Sequence, residues 1–120
     1  MAEPLVIQSR MFDLLVWLLP KAERFPKAYR FTLTHRLMNA ALDLQDALAE
    51  AETSRGQVRR RALSAADRHL ARLRIYVRLV HHWHWLTSGQ YEHVSRMILE
   101  IGRLLGGWLK AEQRGKGGSG

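Results

Sequence analysis

The longest uninterrupted pattern of apolar positions lies in residues 57–86, a stretch with neither proline nor glycine. Apolar side chains recur there at alternating steps of three and four, a spacing that places residues on one face of an α-helix. The positions on this face are Leu63, Ala66, Leu70, Leu73, Val77, Val80 and His84. We therefore predict a helix of about 45 Å, at about 1.5 Å per residue, with this face buried.

The same spacing predicts three further helices. Helix 1 is expected over residues 5–23, where Pro20 should kink or end it, helix 2 over 34–52 and helix 4 over 88–111. The predicted inner positions are Ile7, Met11, Leu14, Leu15 and Leu18 in helix 1, Leu37, Ala40, Ala41, Leu44, Leu48 and Ala51 in helix 2, and Tyr91, Val94, Ile98, Ile101, Leu105 and Trp108 in helix 4.

Residues 24–33, between helices 1 and 2, contain Pro26 and show too little periodicity for a regular helix. We interpret them as an ordered connection held by its apolar side chains, and we expect Thr32 or Thr34 to cap helix 2. The expected anchors are Phe25, Tyr29, Phe31 and Leu33.

Ser54 with Gln57, and Thr87 with Gln90, have the spacing of a capping box, in which two side chains satisfy free backbone donors at a helix start. The connections before helices 3 and 4 are therefore short, so the helices they join must be antiparallel neighbours. The predicted fold is all-α: an up-down-up-down antiparallel four-helix bundle over residues 1–112. Residues 113–120 form a glycine-rich tail, which we expect to be flexible.

Helices 1 and 3 carry more apolar residues than one buried face needs, which predicts self-association. The extra residues are Phe12, Val16, Trp17 and Leu19 in helix 1, and Ile75, Leu79 and Leu86 in helix 3. Gly102, Gly106 and Gly107 lie inside helix 4, although a glycine there costs about 1 kcal/mol relative to alanine. We expect close packing of another backbone to offset this cost.

The chain carries 19 Lys and Arg against 11 Asp and Glu, a formal net charge of +8. This excess is clustered as well as large, which favours a polyanionic partner over a merely solubilising charge. The absence of cysteine excludes disulfides and points to a reducing cytoplasm. The apolar run at residues 14–20 is far shorter than the roughly 20 residues that span a bilayer, so no membrane association is expected.

Candidate chemistry centres on the sequence HHWHW at residues 81–85. His81 and His84 are one helical turn apart, but no carboxylate accompanies them as in bundle metal sites. A metal-dependent enzyme that uses this pair is therefore only a rival hypothesis, and we expect His84 to be a core histidine. No nucleophile lies beside a base at a defined spacing. We predict a protein that is not an enzyme and has no cofactor or bound metal.

The tryptophans of the same stretch allow two interpretations. Trp83 and Trp85 are typical of interface anchors. The alternative is that Trp83, Trp85 or Tyr76 stacks on single-stranded bases, but aromatic residues at helical spacing more often lie in a core or an interface.

Three segments resemble the accessory variability determinant (Avd) protein family of diversity-generating retroelements. They are FPKAYRFTLTHRLMNAALDL at 25–44, LARLRIYVRLV at 70–80 and QYEHVSRMILEIGRLLGGWLK at 90–110. The similarity extends back through helix 1, but the HHWHW stretch is not part of the family pattern. A more distant likeness is to the four-helix intervening-sequence proteins encoded within large-subunit ribosomal RNA genes.

The resemblance implies a small bundle that assembles into a positively charged pentameric barrel. It also implies binding to the reverse transcriptase of the element, to template RNA and to cDNA, during copying with adenine-directed errors. Two alternatives remain: a general RNA-binding bundle, or an adaptor that binds only protein, both outside a retroelement.

The resemblance does not assign individual contact residues, so we select them by charge and by position on the predicted helices. Arg61, Arg68 and Arg72 share one side of helix 3, and Arg60, Arg74 and Arg78 share an adjacent side. Some of these arginines should pair with the acids of helix 2 or across a subunit interface. The remaining candidates are Arg96, Arg103 and Lys110 on helix 4 and Lys27, Arg30 and Arg36 in the connection.

Overall fold

The computed structural model describes the backbone of residues 2–118 and the side chains of residues 6–115, and within that part all the regular secondary structure is helical. The four α-helices are α1 (Ala2–Ala22), α2 (His35–Thr53), α3 (Gly56–His82) and α4 (Ser88–Gly118). A 3₁₀ turn (Lys27–Tyr29) and a π-helical turn (Arg30–Thr34) precede α2.

Each helix packs mainly against two others: α1 and α3 both contact α2 and α4. The short links between α2 and α3, and between α3 and α4, make these pairs antiparallel neighbours. The predicted four-helix bundle is therefore confirmed.

The buried faces agree closely with the periodicity of the sequence. From Leu63 to Val80, the apolar stripe of α3 is at most 2% exposed. The predicted inner positions of α2 are all buried, as are those of α1 and α4 except Leu15 and Tyr91, which are half-buried. Burying one such aliphatic side chain contributes about 1.5–3 kcal/mol, so these stripes hold the bundle together.

The predicted C-terminal end of α3 is wrong, because the helix stops at His82. The backbone N–H of His84 donates to the carbonyl of His81, and that of Trp85 to the carbonyl of Val80, both at 2.9 Å. This is the Schellman arrangement, in which the residue after the cap adopts a left-handed conformation; His84 has φ 61°. His84 is therefore exposed at a chain reversal and does not lie in the core.

Only one of the two predicted capping boxes forms. Thr87 and Gln90 exchange side-chain and backbone hydrogen bonds of 2.9 and 3.1 Å, which confirms the box before α4. The box before α3 is wrong: Ser54 Oγ donates to the carbonyl of Glu50 at 2.7 Å instead. Gly56 begins α3 with φ 59°, so this tight turn depends on a left-handed glycine.

The cap predicted for α2 is also wrong. Helical turns lead into α2 without a break from Arg30, so no free helix start remains for Thr32 or Thr34 to cap. Thr32 Oγ1 donates to the carbonyl of Tyr29 at 3.3 Å. Thr34 is buried, and its hydroxyl has no hydrogen-bond partner among the described residues. Phe25 does anchor the connection, but Phe31 is 84% exposed.

The first and last helices of the chain, α1 and α4, are both longer than predicted. α1 continues through Pro20 to Ala22, and α4 passes residue 111 and reaches Gly118. The division into a domain and a flexible tail stays a prediction, and residues 119–120 of that tail lie outside the described residues.

The surplus apolar residues divide into covered and uncovered positions. Leu86 is buried, so its predicted place on a second exposed face is wrong. Leu79, Trp17 and Leu19 are half-buried. Phe12, Val16, Ile75 and Leu99 are each more than half exposed.

Gly102, Gly106 and Gly107 do not meet another backbone among the residues that the structure describes, contrary to expectation. A Cβ on Gly102 would lie 2.5 Å from Nη2 of Arg74, so this glycine makes room for a guanidinium group. At Gly106 and Gly107 a Cβ would meet nothing within 4 Å.

Replacement of Leu73 by aspartate should unfold the bundle, because an unpaired carboxylate at a position with no exposure costs several kcal/mol, against a total stability of about 5–15 kcal/mol. Val58→Asp is the matched control, since Val58 is 50% exposed on the same helix. Circular dichroism and thermal melting should show loss of structure only in Leu73→Asp. A native melting curve for that variant would contradict the assignment of the inner face.

Two turn variants should change stability in opposite directions. His84→Gly should stabilise the protein by about 1 kcal/mol, because glycine adopts positive φ without a Cβ clash. Gly56→Ala should destabilise it by a similar amount for the converse reason. Urea unfolding measures both, and shifts of the same sign would refute this account of the turns.

Candidate nucleic-acid interface

The arginines of α3 lie in three different surroundings. Arg60, Arg61 and Arg68 line a shallow concavity on the outer surface of the helix, together with Gln57 and Ser64. None of these three arginines forms an ion pair with another described residue. We call this surface the arginine concavity. Its charge is available to an external anion.

Arg72 belongs to a second environment, on the side of α3 that faces α2. Its Nη1 lies 3.5 Å from Oδ2 of Asp43 and 2.9 Å from Nδ1 of His69. Asp43 is on α2, so this is an ion pair of the kind expected between the arginines and that helix. Arg72 is therefore partly neutralised, although it lies only one helical turn beyond Arg68.

Arg74 and Arg78 form the third group, in the groove between α3 and α4. Tyr91, Ser95 and Leu99 of α4 also line this groove. Arg60 does not line this groove; it lines the arginine concavity nearer the start of α3.

The basic stripe predicted on α4 is largely neutralised within its own helix. Arg96 pairs with Glu92, and Arg103 lies 3.6 Å from Glu100, in pairs separated by one helical turn. Such exposed pairs add about 0–1 kcal/mol of stability, but they place a carboxylate beside each guanidinium. Lys110 is exposed and forms no ion pair with another described residue.

The basic residues in the connection between α1 and α2, and in the first turn of α2, are not neutralised by ion pairs with other residues that the structure describes. Lys27, Arg30 and Arg36 are exposed and form no ion pair within the described residues. No Asp or Glu occurs in residues 24–42 or in residues 68–91, the two stretches that include this end of the bundle.

A cluster of aromatic side chains lies at the same end. Tyr29, Trp83 and Trp85 pack against one another, with ring-centroid distances of 4.9 Å between Tyr29 and Trp85, 5.7 Å between the two tryptophans, and 6.3 Å between Tyr29 and Trp83. The exposure of Phe31 and Tyr29 was missed by sequence reasoning, which assigned both to the interior. The only feature of the sequence that could have indicated their exposure is that neither residue belongs to the apolar stripe of a helix.

The histidines of this end do not make a metal site. The ring of His81 stacks on that of Tyr91, with a centroid distance of 3.9 Å, and His84 lies beyond the helix end rather than one turn further along it. Within the described part of the chain, no three His, Cys, Asp or Glu side chains come together as metal ligands.

Arg59 has a structural position. Its Nε donates to the carbonyl of Ala51 at 2.8 Å, and its Nη1 lies 3.1 Å from Glu112. The guanidinium also lies over the ring of Trp108, at 6.0 Å. This side chain therefore joins the ends of α2 and α4 to the start of α3.

Among the helices of residues 2–118, none has the length and hydrophobicity to cross a membrane.

Comparison with known proteins now places this basic bundle in a family. The bAvd-like family model matches residues 5–112. The chain belongs to this family, which confirms its resemblance to the accessory variability determinant proteins. No curated protein matches the chain.

A solved structure supports the fold independently. The chain is similar to a Bacteroides thetaiotaomicron protein of unknown function from the S23 ribosomal protein family. The TM-score is 0.81 at 16% identity, over 90% of this chain and 98% of the other. At this identity the similarity shows the shared four-helix fold alone.

Arg59→Gln should destabilise the bundle by about 1.5–3 kcal/mol, because it removes charge-assisted hydrogen bonds in a partly buried place. Arg96→Gln is the matched control and should change stability by less than about 1 kcal/mol, since its ion pair is exposed. Urea unfolding of both variants measures the difference. Equal effects would show that Arg59 has no special structural role.

Proposed function

We propose that this protein is a non-enzymatic accessory subunit of a diversity-generating retroelement in the cytoplasm. It binds the reverse transcriptase of the element together with template RNA and cDNA, and it supports mutagenic reverse transcription. Membership of the bAvd-like family is the observation that carries this proposal.

The unpaired arginines supply the physical means of binding nucleic acid. Arginine neutralises phosphates and releases their counterions, which gives affinity without reading sequence. The arginine concavity is presented on one rigid helix of 27 residues, so little ordering accompanies binding. The protein then holds a nucleic-acid backbone, and the polymerase performs the chemistry.

Self-association into a pentameric barrel is part of the same proposal. The exposed side chains of Phe12, Val16, Ile75 and Leu99 offer apolar surface for contact between copies. Gly106 and Gly107 leave open space along α4, where a neighbouring subunit can approach. Repetition of the concavity around an assembly would strengthen binding through multivalency.

The test compares two triple variants of the full chain that have the same net charge. One replaces Arg60, Arg61 and Arg68 of the concavity by glutamine. The other replaces the ion-paired Arg72, Arg96 and Arg103. Binding to a structured RNA is measured over a range of salt, with the mass in solution from light scattering. We expect the concavity triple to lower the slope of log affinity against log salt by about one per arginine, and the control triple to lower it clearly less.

Equal slopes of log affinity against log salt for the two triple variants would show that the arginine concavity has no special part in RNA binding. A wild-type protein that binds reverse transcriptase but no RNA at low salt would favour an adaptor that binds only protein. RNA binding without any affinity for a reverse transcriptase would favour a general RNA-binding bundle.

A further inference from the structure

One end of the bundle combines exposed aromatic rings with unpaired positive charge. We define the aromatic corner as Phe25, Tyr29, Phe31, Trp83 and Trp85. Phe25 is buried and Trp85 is half-buried, whereas Tyr29, Trp83 and Phe31 are 45, 48 and 84% exposed. Large rings exposed together on a small protein indicate a binding surface.

Phe25 and Trp85, the less exposed rings, hold Tyr29 and Trp83 in place. Trp85 packs against Phe25 at a centroid distance of 5.5 Å and against Tyr29 at 4.9 Å. Trp83 contacts both of these rings, at 5.7 Å from Trp85 and 6.3 Å from Tyr29, with 20° between its ring plane and that of Tyr29. The hydrogen-bonded turn that ends α3 fixes the backbone of both tryptophans. The exposed ring of Trp83 is therefore an ordered platform.

Phe31 is directed outward by the π-helical turn Arg30–Thr34. Turns of this type are rare and are frequently found at functional sites. Phe31 stands between two grooves. Arg36, Leu79 and Trp83 help to line one groove, and Arg30 and the buried Thr34 help to line the other. The hydroxyl of Thr34 has no partner among the described residues.

The surrounding charge selects the kind of occupant. Lys27 and Arg30 lie in the same connection as Tyr29 and Phe31, and Arg36 lies in the first turn of α2. The stretches 24–42 and 68–91 contain no acid, and Glu23 is the one acid that lines either groove, so cations prevail at this end of the bundle. A second copy that docked by this same surface would bring like charges together. Aromatic faces beside arginines instead suit single-stranded nucleic acid, whose bases stack while its phosphates contact the cations.

We propose that the aromatic corner binds unpaired bases of a single-stranded nucleic acid, which stack on Phe31 and Trp83 while Arg30 and Arg36 contact the flanking phosphates. This inference rests on the proposed function and refines it. From Arg61 to the end of α3 is about 30 Å, at about 1.5 Å per residue. The corner therefore engages a different part of the strand from the arginine concavity.

The experiment measures binding of the full chain to a short single-stranded oligoadenosine. Phe31→Ala and Trp83→Ala should each weaken it by about fivefold to a hundredfold, with an unchanged salt dependence, because no charge is removed. Phe31→Trp and Trp83→Phe should restore affinity. Leu42→Ala and Val58→Ala are the matched controls, since they remove apolar side chains that are 39 and 50% exposed elsewhere. An abasic ribose-phosphate oligomer of equal length should bind wild-type protein more weakly than oligoadenosine, and insensitively to Phe31→Ala.

Three results would overturn the inference. The first is unchanged affinity of both alanine variants for oligoadenosine. The second is equal binding of the abasic oligomer. The third is a loss of solution mass or of reverse-transcriptase binding with intact affinity for the oligonucleotide, which would assign the corner to a protein partner.

The outcomes also distinguish this inference from the proposed function. If only the concavity triple loses RNA binding, the proposed function stands and the aromatic corner is refuted. If wild-type protein binds no nucleic acid at low salt, both fail together. Circular dichroism of every variant excludes unfolding as the cause.

Discussion

The structure depends on burial of the apolar stripe of α3 between α2 and α4. This stripe, from Leu63 to Val80, is almost completely removed from solvent. Hydrophobic burial has no directional requirement, so any helix with a matching stripe serves as a neighbour. One consequence is that the remaining surface of α3 is free to carry charge, because stability comes from the inner face.

The acids decide which of the basic residues remain available. Asp43, Glu92 and Glu100 each lie beside an arginine that the sequence suggested as a contact. Glu112 instead holds Arg59, which is a structural residue. The net charge of the chain is therefore distributed unevenly, and it is strongest in the stretches of sequence that carry no carboxylate.

The two proposed surfaces, one on α3 and one beyond its C-terminal end, differ in their chemistry. The arginine concavity offers charge without aromatic rings, which suits a phosphate backbone in any conformation. The aromatic corner offers both, which suits unpaired bases. A protein with both surfaces can hold a strand at separate points, and membership of the bAvd-like family gives such an arrangement a context in reverse transcription.

The sequence by itself determined the number of helices, their order and nearly every buried position, because helical periodicity is a local property that each stripe displays on its own. The ends of the helices, in contrast, do not follow from helical periodicity. Thr87 with Gln90 and Ser54 with Gln57 share one pattern, yet only the first forms a capping box, because the backbone before α3 turns through a left-handed Gly56. Likewise His84 follows the helical period but terminates α3.

Only the tertiary structure decided which arginines are neutralised and which aromatic residues are exposed. Arg72 meets Asp43 through the packing of α3 against α2, and Phe31 is exposed because a π-helical turn leads into α2. Neither outcome follows from spacing along one element. Each depends on which side chains the neighbouring elements bring into contact, and that information is contained in the packed chain.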